Sequence, residues 1–450
     1  MAVRRRPRAR RDTQGGAAVA GRQRIPGAVA AAVRRDAGAA AGRAGGRRID
    51  RIGRSTLMAR IVFTTQPASG HLRPLVPIAR AARVRGHEVA VLAPRPQAAE
   101  LAAYGLPHLI GGYDWRAEVA SWLPANLSEL DFAAAADVFR TLGRRMSEGF
   151  AGHMGQATCA DLLTLAQDWR PDLVIRELDE LGGYLAAEVL GIPHVSIASF
   201  GGVDAMTGAE LAARLDEGRA RFGLAPDPAG ARLYHYLHAN FLPAEYSAAE
   251  MILPNTRCYR HPNAGFQSDR LPGWLADLDL DRPFVFAGFG TIVYGLPGAD
   301  GFVRTVIEAL GRVDCTAVLA VGAGGKTEAF GALPPNVSLV EFVDQPLMLE
   351  GADLFVTHGG LNSMKEAMRL GVPMVNIPVL DDHRHNAVQA EATGTTTVVP
   401  LDEVSVEAIA HACTWTLTEP GFRRCARRLQ RRIHALPGVD VLLDDLEALL

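Results

Sequence analysis

One stretch decides the fold of this chain: Asp353-Leu-Phe-Val-Thr-His-Gly-Gly-Leu-Asn-Ser-Met-Lys-Glu366. Its apolar run from Leu354 to Val356 predicts a buried strand, and the glycines that follow His358 predict a turn. The residues from about Asn362 to Leu370 are compatible with a helix, and Met374 to Pro378 predicts the next strand. The order strand, glycine turn, helix, strand is typical of a parallel α/β sheet.

Such a turn exposes backbone N–H groups and the positive end of a helix, which together favour an anion. A diphosphate held at the helix start is therefore the natural hypothesis, although a Gly-Gly turn after a strand can also be purely structural. Glu366 lies four residues after Asn362 on the same helix face. The polar cluster 381–386 follows the next strand, and Val343-Asp344-Gln345 ends an upstream strand. We expect these three strand ends to be neighbours that present polar groups to one place.

Strands and helices alternate in two series, which predicts two doubly wound Rossmann-like domains that face a cleft. At 450 residues the chain exceeds what one core usually supports. We expect an N-terminal domain over 58–268 and a C-terminal domain over 283–425 with a linker between them. Residues 426–450 should form a helical segment that crosses back to the N-terminal domain.

Residues 1–57 form an Arg-, Ala- and Gly-rich tail with a net charge of +12, which leaves −14 on the remainder of a chain whose total is −2. Its composition predicts disorder. Three interpretations stay open: a segment that binds nucleic acid or an acidic surface, a targeting segment, or an upstream mis-start with translation beginning at Met58. The third is favoured, because Met58 directly precedes a strong first strand.

Composition excludes several classes of protein. No run of 18 apolar residues is present, so no membrane span is expected. The five cysteines are far apart and form no CxxC pair, which argues against a disulfide framework or a zinc site and favours the cytoplasm. Gly288-Phe-Gly290 fails the dinucleotide pattern because residue 293 is Val, and a Walker A loop before Lys326 would need glycine in place of Ala320.

A second candidate site lies in the N-terminal half. His71 follows the first strand in a glycine-containing loop, and Glu177 ends another strand of the same domain. A carboxylate beside an imidazole fixes its tautomer and supports its protonated form. An imidazole with an ordinary pKa of ~6.5 is a workable general base at neutral pH.

With these residues in view, the chain from about Met58 to Leu450 resembles the family-1 glycosyltransferases of GT-B fold, in particular the bacterial enzymes that glycosylate natural products. The segment from Phe342 through Glu366 to Asn386 is similar to the nucleotide-sugar signature of that family. Ser69-Gly-His71 resembles its acceptor loop, Phe289-Gly-Thr291 its first donor-domain loop, and Pro171 to Glu177 the strand with its acidic partner.

The resemblance implies a role for each matching position. His71 would be the catalytic base and Glu177 its partner. Phe342 would stack on the nucleobase, Gln345 would touch base or ribose, and Glu366 would hold the ribose hydroxyls. The diphosphate would be held by Thr291, His358, Gly360, Asn362 and Ser363, and the donor sugar would be recognised by Asp382 and His383.

The chain departs from the family pattern at three positions. Glu177 stands where Asp is usual, so the geometry of the pair is open. His383 replaces Gln, which leaves the donor sugar open and allows a deoxy or amino sugar. Asp344 replaces the usual Pro and adds a negative charge near the expected phosphates.

The resulting expectation is an inverting glycosyltransferase of antibiotic and other secondary metabolism. It would move a sugar from a dTDP- or UDP-sugar to a hydroxyl of a hydrophobic aglycone, without metal or other cofactor, and without nucleic acid as a partner. A homodimer is left open. The alternatives are a catalytically silent GT-B partner protein, an epimerase or phosphorylase of the same fold, and a nucleic-acid binder that acts through the tail. The His-Gly-Gly signature argues against the epimerase and the phosphorylase.

Overall fold

The computed structural model describes residues 47–49, 55–198, 208–246, 253–262, 273–276, 278, 281–322, 325 and 327–450, with only the backbone of 47–49, 55–57, 291 and 381. Two short strands, β1 (Arg47–Ile49) and β2 (Ser55–Leu57), pair antiparallel within the stretch expected to be disordered. Most of the tail, residues 1–46, lies outside the described part.

The first large sheet is parallel and follows the order β5-β4-β3-β6-β7-β8-β9. Its strands are short and their inner positions are almost wholly buried, as a sheet covered by helices on both faces requires. They are β3 (Arg60–Thr64), β4 (Glu88–Ala93), β5 (His108–Ile110), β6 (Leu173–Glu177), β7 (His194–Ile197), β8 (Leu237–Asn240) and β9 (Thr256–Cys258).

The helices of this half connect those strands or stand over their carboxyl ends. They are α1 (Ser69–Leu72), α2 (Val76–Arg85), α3 (Ala98–Ala103), α4 (Arg116–Trp122), α5 (Phe132–Ala151), α6 (His153–Trp169), α7 (Gly182–Leu190) and α8 (Gly208–Arg221), with α9 (Gly273–Ala276) in the connection to the second sheet.

The second sheet is also parallel and follows the order β12-β11-β10-β13-β14-β15. Its strands are β10 (Phe284–Gly288), β11 (Thr316–Ala320), β12 (Val337–Val340), β13 (Leu354–Thr357), β14 (Met374–Asn376) and β15 (Thr396–Val398). Its helices are α10 (Gly290–Val293), α11 (Ala299–Gly311), α12 (Gln345–Gly351), α13 (Leu361–Leu370), α14 (Asp381–Ala392), α15 (Val406–Thr418) and α16 (Pro420–Ala435), and α17 (Val439–Glu447) follows.

Each sheet has an apolar core on both faces. Leu442, Leu443 and Leu446 of α17 belong to the core between the first sheet and α2, so the end of the chain packs on the N-terminal domain. Within the described residues, no helix is both long and apolar enough to cross a membrane. The two parallel α/β domains match the predicted fold class.

Candidate active site

Both sheets reverse their strand order at a central pair of strands, β3 with β6 in the first and β10 with β13 in the second. Such a reversal opens a crevice at the carboxyl ends of the strands, where α/β proteins bind ligands. His71 follows β3 and Glu177 ends β6. Gly290 follows β10 and His358 follows β13. The topology therefore places both groups of predicted residues at switch points.

The His71 side chain meets Glu177 across the first crevice. The distance from His71 Nδ1 to Glu177 Oε2 is 3.1 Å. The Glu177 side chain is fully buried, whereas 24% of the His71 side chain is exposed. The other oxygen of Glu177 accepts the backbone N–H of Asp179 at 3.0 Å. A glutamate at this position thus reaches the imidazole, and Nε2 is the ring nitrogen that does not face it.

The charge around His71 gives its imidazole an unusual pKa. Burial alone would lower that pKa, but the charge and hydrogen bond of Glu177 outweigh burial and raise the pKa to about 9. Asp179 and Asp382 act in the same direction. His71 is consequently an imidazolium at neutral pH in the free protein, and the ordinary value of ~6.5 assumed from sequence was wrong.

Asp179 is a site residue that sequence reasoning missed. Burial and the neighbouring charge of Glu177 raise the pKa of its carboxyl to about 8. The signal was the run Glu177-Leu-Asp-Glu180 at the end of a strand. The last acid of that run has a structural task, because Glu180 accepts the backbone N–H groups of Gly182 and Gly183, each at 2.8 Å.

The turn before α13 can be built only with glycine. Gly359 has φ +87°, and a Cβ there would lie 2.9 Å from the carbonyl oxygen of His383. The side-chain amide of Asn386 holds the turn by donating to the Gly359 carbonyl at 3.0 Å. Gly360 is the N-cap of α13 and has no side chain to occupy the first N–H groups of the helix. These groups are available to an anion at the start of α13.

Two neutral histidines lie behind this turn. The rings of His358 and His383 meet edge to face with centroids 4.5 Å apart. Burial lowers the pKa of each to about 3. His383 Nδ1 accepts the backbone N–H of Leu380 at 3.1 Å, and its side chain is buried, whereas Asp382 beside it is 31% exposed. Of this pair Asp382 is the one that faces solvent, and its carboxyl acts on the pKa of His71.

Gln345 and Glu366 meet although they are far apart in sequence. The Gln345 amide donates to Glu366 Oε2 at 2.6 Å. Burial raises the pKa of Glu366 to about 7, against the opposing effects of that hydrogen bond and of the Arg73 charge. Asp344 has a structural role, because its carboxylate caps α12 by accepting the backbone N–H of Leu347 at 3.3 Å.

One expectation about neighbouring strands was wrong. β12 ends at Val340 on the edge of its sheet, and β11 and β10 separate it from β13. Gln345 reaches Glu366 through the connection 341–344 and the first turn of α12 instead. Period-2 patterns predict strands but do not give their lateral order.

The loop that carries His71 touches α13 across the cleft. The Asn362 amide donates to the Gly70 carbonyl at 2.8 Å, so one expected diphosphate ligand contacts the other domain in this structure. Arg73, also missed from sequence, extends from the same loop, and its charge acts on Glu366. Phe342 is 63% exposed and Ser363 is half-buried. Thr291 lies in α10, and its side chain falls outside the described part.

Among the described residues, no group of three or more His, Cys, Asp or Glu side chains is arranged to hold a metal ion.

Comparison with known proteins gives the family. The model "Erythromycin biosynthesis protein CIII-like, N-terminal domain" matches residues 80–220, and its C-terminal counterpart matches residues 304–449. The two together match more than half of the chain. Erythronolide mycarosyltransferase from Saccharopolyspora erythraea is 26% identical over 431 residues, which cover 87% of this chain and 98% of that enzyme.

Solved structures agree in fold. The glycosyltransferase SnogD from Streptomyces nogalater aligns with a TM-score of 0.68 at 24% identity, over 87% of this chain and 99% of SnogD. Glycosyltransferase VinC in complex with dTDP aligns with a TM-score of 0.65 at 23% identity, over 87% and 99% of the two chains. At these identities the likeness establishes the two-domain GT-B fold.

Proposed function

The chain belongs to the erythromycin biosynthesis protein CIII-like glycosyltransferases, and on that premise we propose that it inverts the anomeric centre of an NDP-sugar during transfer. The donor is a dTDP- or UDP-sugar, and the acceptor is a hydroxyl of a hydrophobic natural-product aglycone. The complex of VinC with dTDP and the mycarosyl transfer named for the Saccharopolyspora relative support this choice of substrates.

One observation carries the proposal: the His71–Glu177 contact of 3.1 Å involves a loop that touches the first turn of α13. The Asn362–Gly70 hydrogen bond joins the loop of the first site to the helix of the second. An acceptor beside His71 and a donor diphosphate at α13 would therefore meet within one cleft.

The transfer step assigns the base to His71. The acceptor hydroxyl gives its proton to His71 Nε2 while its oxygen attacks the anomeric carbon from the face opposite the diphosphate. The bond from that carbon to the diphosphate oxygen breaks, and the nucleoside diphosphate leaves with the electron pair. With a pKa of about 9, roughly one imidazole in a hundred is neutral at pH 7, but that imidazole is a stronger base than an ordinary one. Glu177 stabilises the imidazolium formed.

The protein itself would stabilise the negative charge that develops on the leaving diphosphate, and the proposal includes no metal. The amino end of α13 supplies about half a positive charge. Burial keeps His358 neutral, so its ring has one N–H, and this N–H would have to leave the Gly288 backbone in order to donate to the diphosphate. Thr291 and Ser363 would add hydroxyl donors. Phe342 would stack on the nucleobase. Glu366 and Gln345 would bind the ribose. Asp382 and His383 would determine which donor sugar is accepted.

The aglycone would lie against the stretch from about Trp115 to Phe150, which contains α4 and most of α5. Only part of that stretch is free to contact an aglycone, because the first turns of α5 pack against the C-terminal domain. The apolar surface left for an acceptor is therefore nearer to the second half of α5.

The deciding experiment removes the base. His71→Ala should lower kcat by about 10²–10⁴, the usual weight of a general base, and leave the affinity for dTDP or UDP within about twofold. Transfer is measured by product formation in excess chelator and nucleotide affinity by calorimetry. Undiminished turnover in His71→Ala would remove His71 from the mechanism. Wild-type activity that required added Mg²⁺ would refute the metal-free step.

A further inference from the structure

The helix α16 exposes an unusual concentration of arginine. Its apolar residues Ala426, Leu429 and Ile433 are buried, and the last two pack in the core of the second domain. The opposite side is entirely basic over three turns. Six exposed arginines lie there: Arg423, Arg424, Arg427, Arg428, Arg431 and Arg432.

Three of the six have partners that hold them to the protein surface. Arg423 pairs with Asp353 at 3.4 Å, and Arg432 pairs with Glu245. Arg427 donates to the carbonyl of Leu370 at 3.4 Å. These contacts tie α16 to its neighbours.

The other three form a stripe that has no partner among the described residues. Arg424, Arg428 and Arg431 are spaced i, i+4 and i+7 and therefore share a helix face. In the part of the chain that the structure describes, no acidic side chain lies within 4.0 Å of them and no hydrogen bond reaches them. Like charges at this spacing destabilise a helix unless an anion neutralises them.

The stripe lines a shallow, open groove. Leu417 and Thr418 at the end of α15 and Pro420 at the start of α16 line the same groove. The groove is remote from the reaction, because Arg427 contacts Leu370 at the carboxyl end of α13. The diphosphate end of α13 is ten residues away, or about 15 Å along the helix.

We propose that this arginine groove, formed by α16 and the end of α15, is a docking surface for an acidic segment of a partner protein. Arginine presents a planar fork of donors that matches carboxylates in pairs, and a stripe at helical spacing suits carboxylates on a facing helix. A partner bound there would leave the cleft open to donor and acceptor.

Other occupants fit less well. A helix enters a bilayer with its apolar face, and that face of α16 is buried in the protein. A long nucleic acid would meet the net charge of −14 on residues 58–450 outside the groove. The tail of this chain, with +12, would be repelled by the stripe.

The test uses the full chain and a designed probe, a fluorescent 16-residue alanine-based helix with Glu at i, i+4 and i+7. Its counterpart carries Gln at those positions. The variant R424Q/R428Q/R431Q is compared with R214Q/R282Q/R312Q, which removes the same charge from exposed arginines that already have acidic partners. Anisotropy at low salt gives affinity, and hydrogen exchange locates the contact.

The Glu peptide should bind the wild type at least tenfold more tightly than the Gln peptide and should protect residues 417–432. The stripe variant should bind the Glu peptide about tenfold more weakly than the wild type, and the control variant less than threefold more weakly. Transfer to a free acceptor should be unchanged in both. Equal losses in the two variants, or protection confined to the tail, would overturn the proposal. Tighter binding of phosphatidylglycerol vesicles or an RNA hairpin through the same three arginines would overturn it as well.

Discussion

At the scale of single residues, the two domains set their histidines to opposite protonation states. His71 lies among Glu177, Asp179 and Asp382, which raise its pKa to about 9. For His358, burial outweighs the opposing charge of Asp382, and its pKa falls to about 3. Environments that shift the pKa values of two titratable groups in opposite directions are common where those groups have acid–base roles. In the proposed mechanism the ring of His71 exchanges a proton, whereas the ring of His358 stays neutral.

The pH dependence of transfer should report the His71–Glu177 pair. Only neutral imidazole accepts a proton, so kcat/KM should rise with pH up to about 9. Glu177→Gln removes the negative charge that favours imidazolium, so the pKa of His71 should fall and the rising limb should move at least one pH unit lower. The maximal rate should fall too, because the imidazolium formed in the transfer step loses its partner.

Glu447→Gln is the matched control for that profile. It breaks a similar contact of 3.0 Å between Glu447 and His87, far from the cleft. Its rising limb should coincide with that of the wild type. If the rising limb of kcat/KM against pH lay at the same pH in Glu177→Gln as in the wild type, another group, such as Asp179, would govern the profile.

At the scale of elements, the proposed donor site consists of a strand, a glycine turn and a helix that follow one another directly. β13 is central in its sheet, and α13 leaves it through a turn that approaches the backbone of α14. Since the diphosphate would be held by backbone N–H groups, the shape of this turn matters more than any one side chain.

Gly359→Ala should damage this element in two ways. A left-handed conformation costs a non-glycine residue about 1–2 kcal/mol, and the new Cβ would lie 2.9 Å from the His383 carbonyl oxygen. We expect a lower melting temperature and at least tenfold weaker binding of dTDP or UDP. Thermal unfolding and calorimetry measure the two effects.

Gly191→Ala separates backbone strain from the clash at the site. Gly191 also has positive φ, +68°, but a Cβ there meets no atom within 4 Å. It should lower the melting temperature while nucleotide affinity stays at the wild-type value. Equal affinities for Gly359→Ala and Gly191→Ala would contradict the assignment of the turn to the diphosphate.

At the scale of the whole molecule, the two domains are joined by packing as well as by chain. Phe132, at the start of α5, stacks on Phe302 of α11 with ring centroids 4.6 Å apart. Ala136 and Phe139, farther along α5, belong to or pack against the same core of the C-terminal domain. α5, a helix of the N-terminal half, is thereby held to the C-terminal domain.

Phe132→Ala should loosen that attachment. Truncating a buried phenylalanine costs about 3–5 kcal/mol, and the cost should be smaller here because Phe132 is half-buried. We expect kcat/KM for transfer to fall about tenfold, with nucleotide affinity changed less than threefold, because the acceptor side moves relative to an intact donor site.

Phe222→Ala provides the comparison, because Phe222 is buried in a core of the N-terminal domain alone. It should lower the melting temperature, but kcat/KM for transfer should not fall while nucleotide affinity stays nearly constant. If both variants behaved alike, α5 would have no role in joining the domains.

By itself the sequence determined the fold class, the family and the local form of the site. The apolar run of β13 and the glycine turn before α13 are local patterns, and hydrophobic periodicity with glycine conformation dictates local structure. The strand that ends at Glu177 was predictable for the same reason, whereas Ser69 to His71, expected as part of a loop, form most of the short helix α1.

Only the tertiary structure decided which of these groups act on one another. The acidic surroundings of His71 come from β6, the loop after it and α14 of the other domain, and its pKa follows from those distances. The edge position of β12, the cap formed by Asp344 and the reach of Asn362 to Gly70 are likewise outcomes of packing. Periodicity is read one segment at a time, whereas electrostatic energy depends on separations between segments distant in sequence.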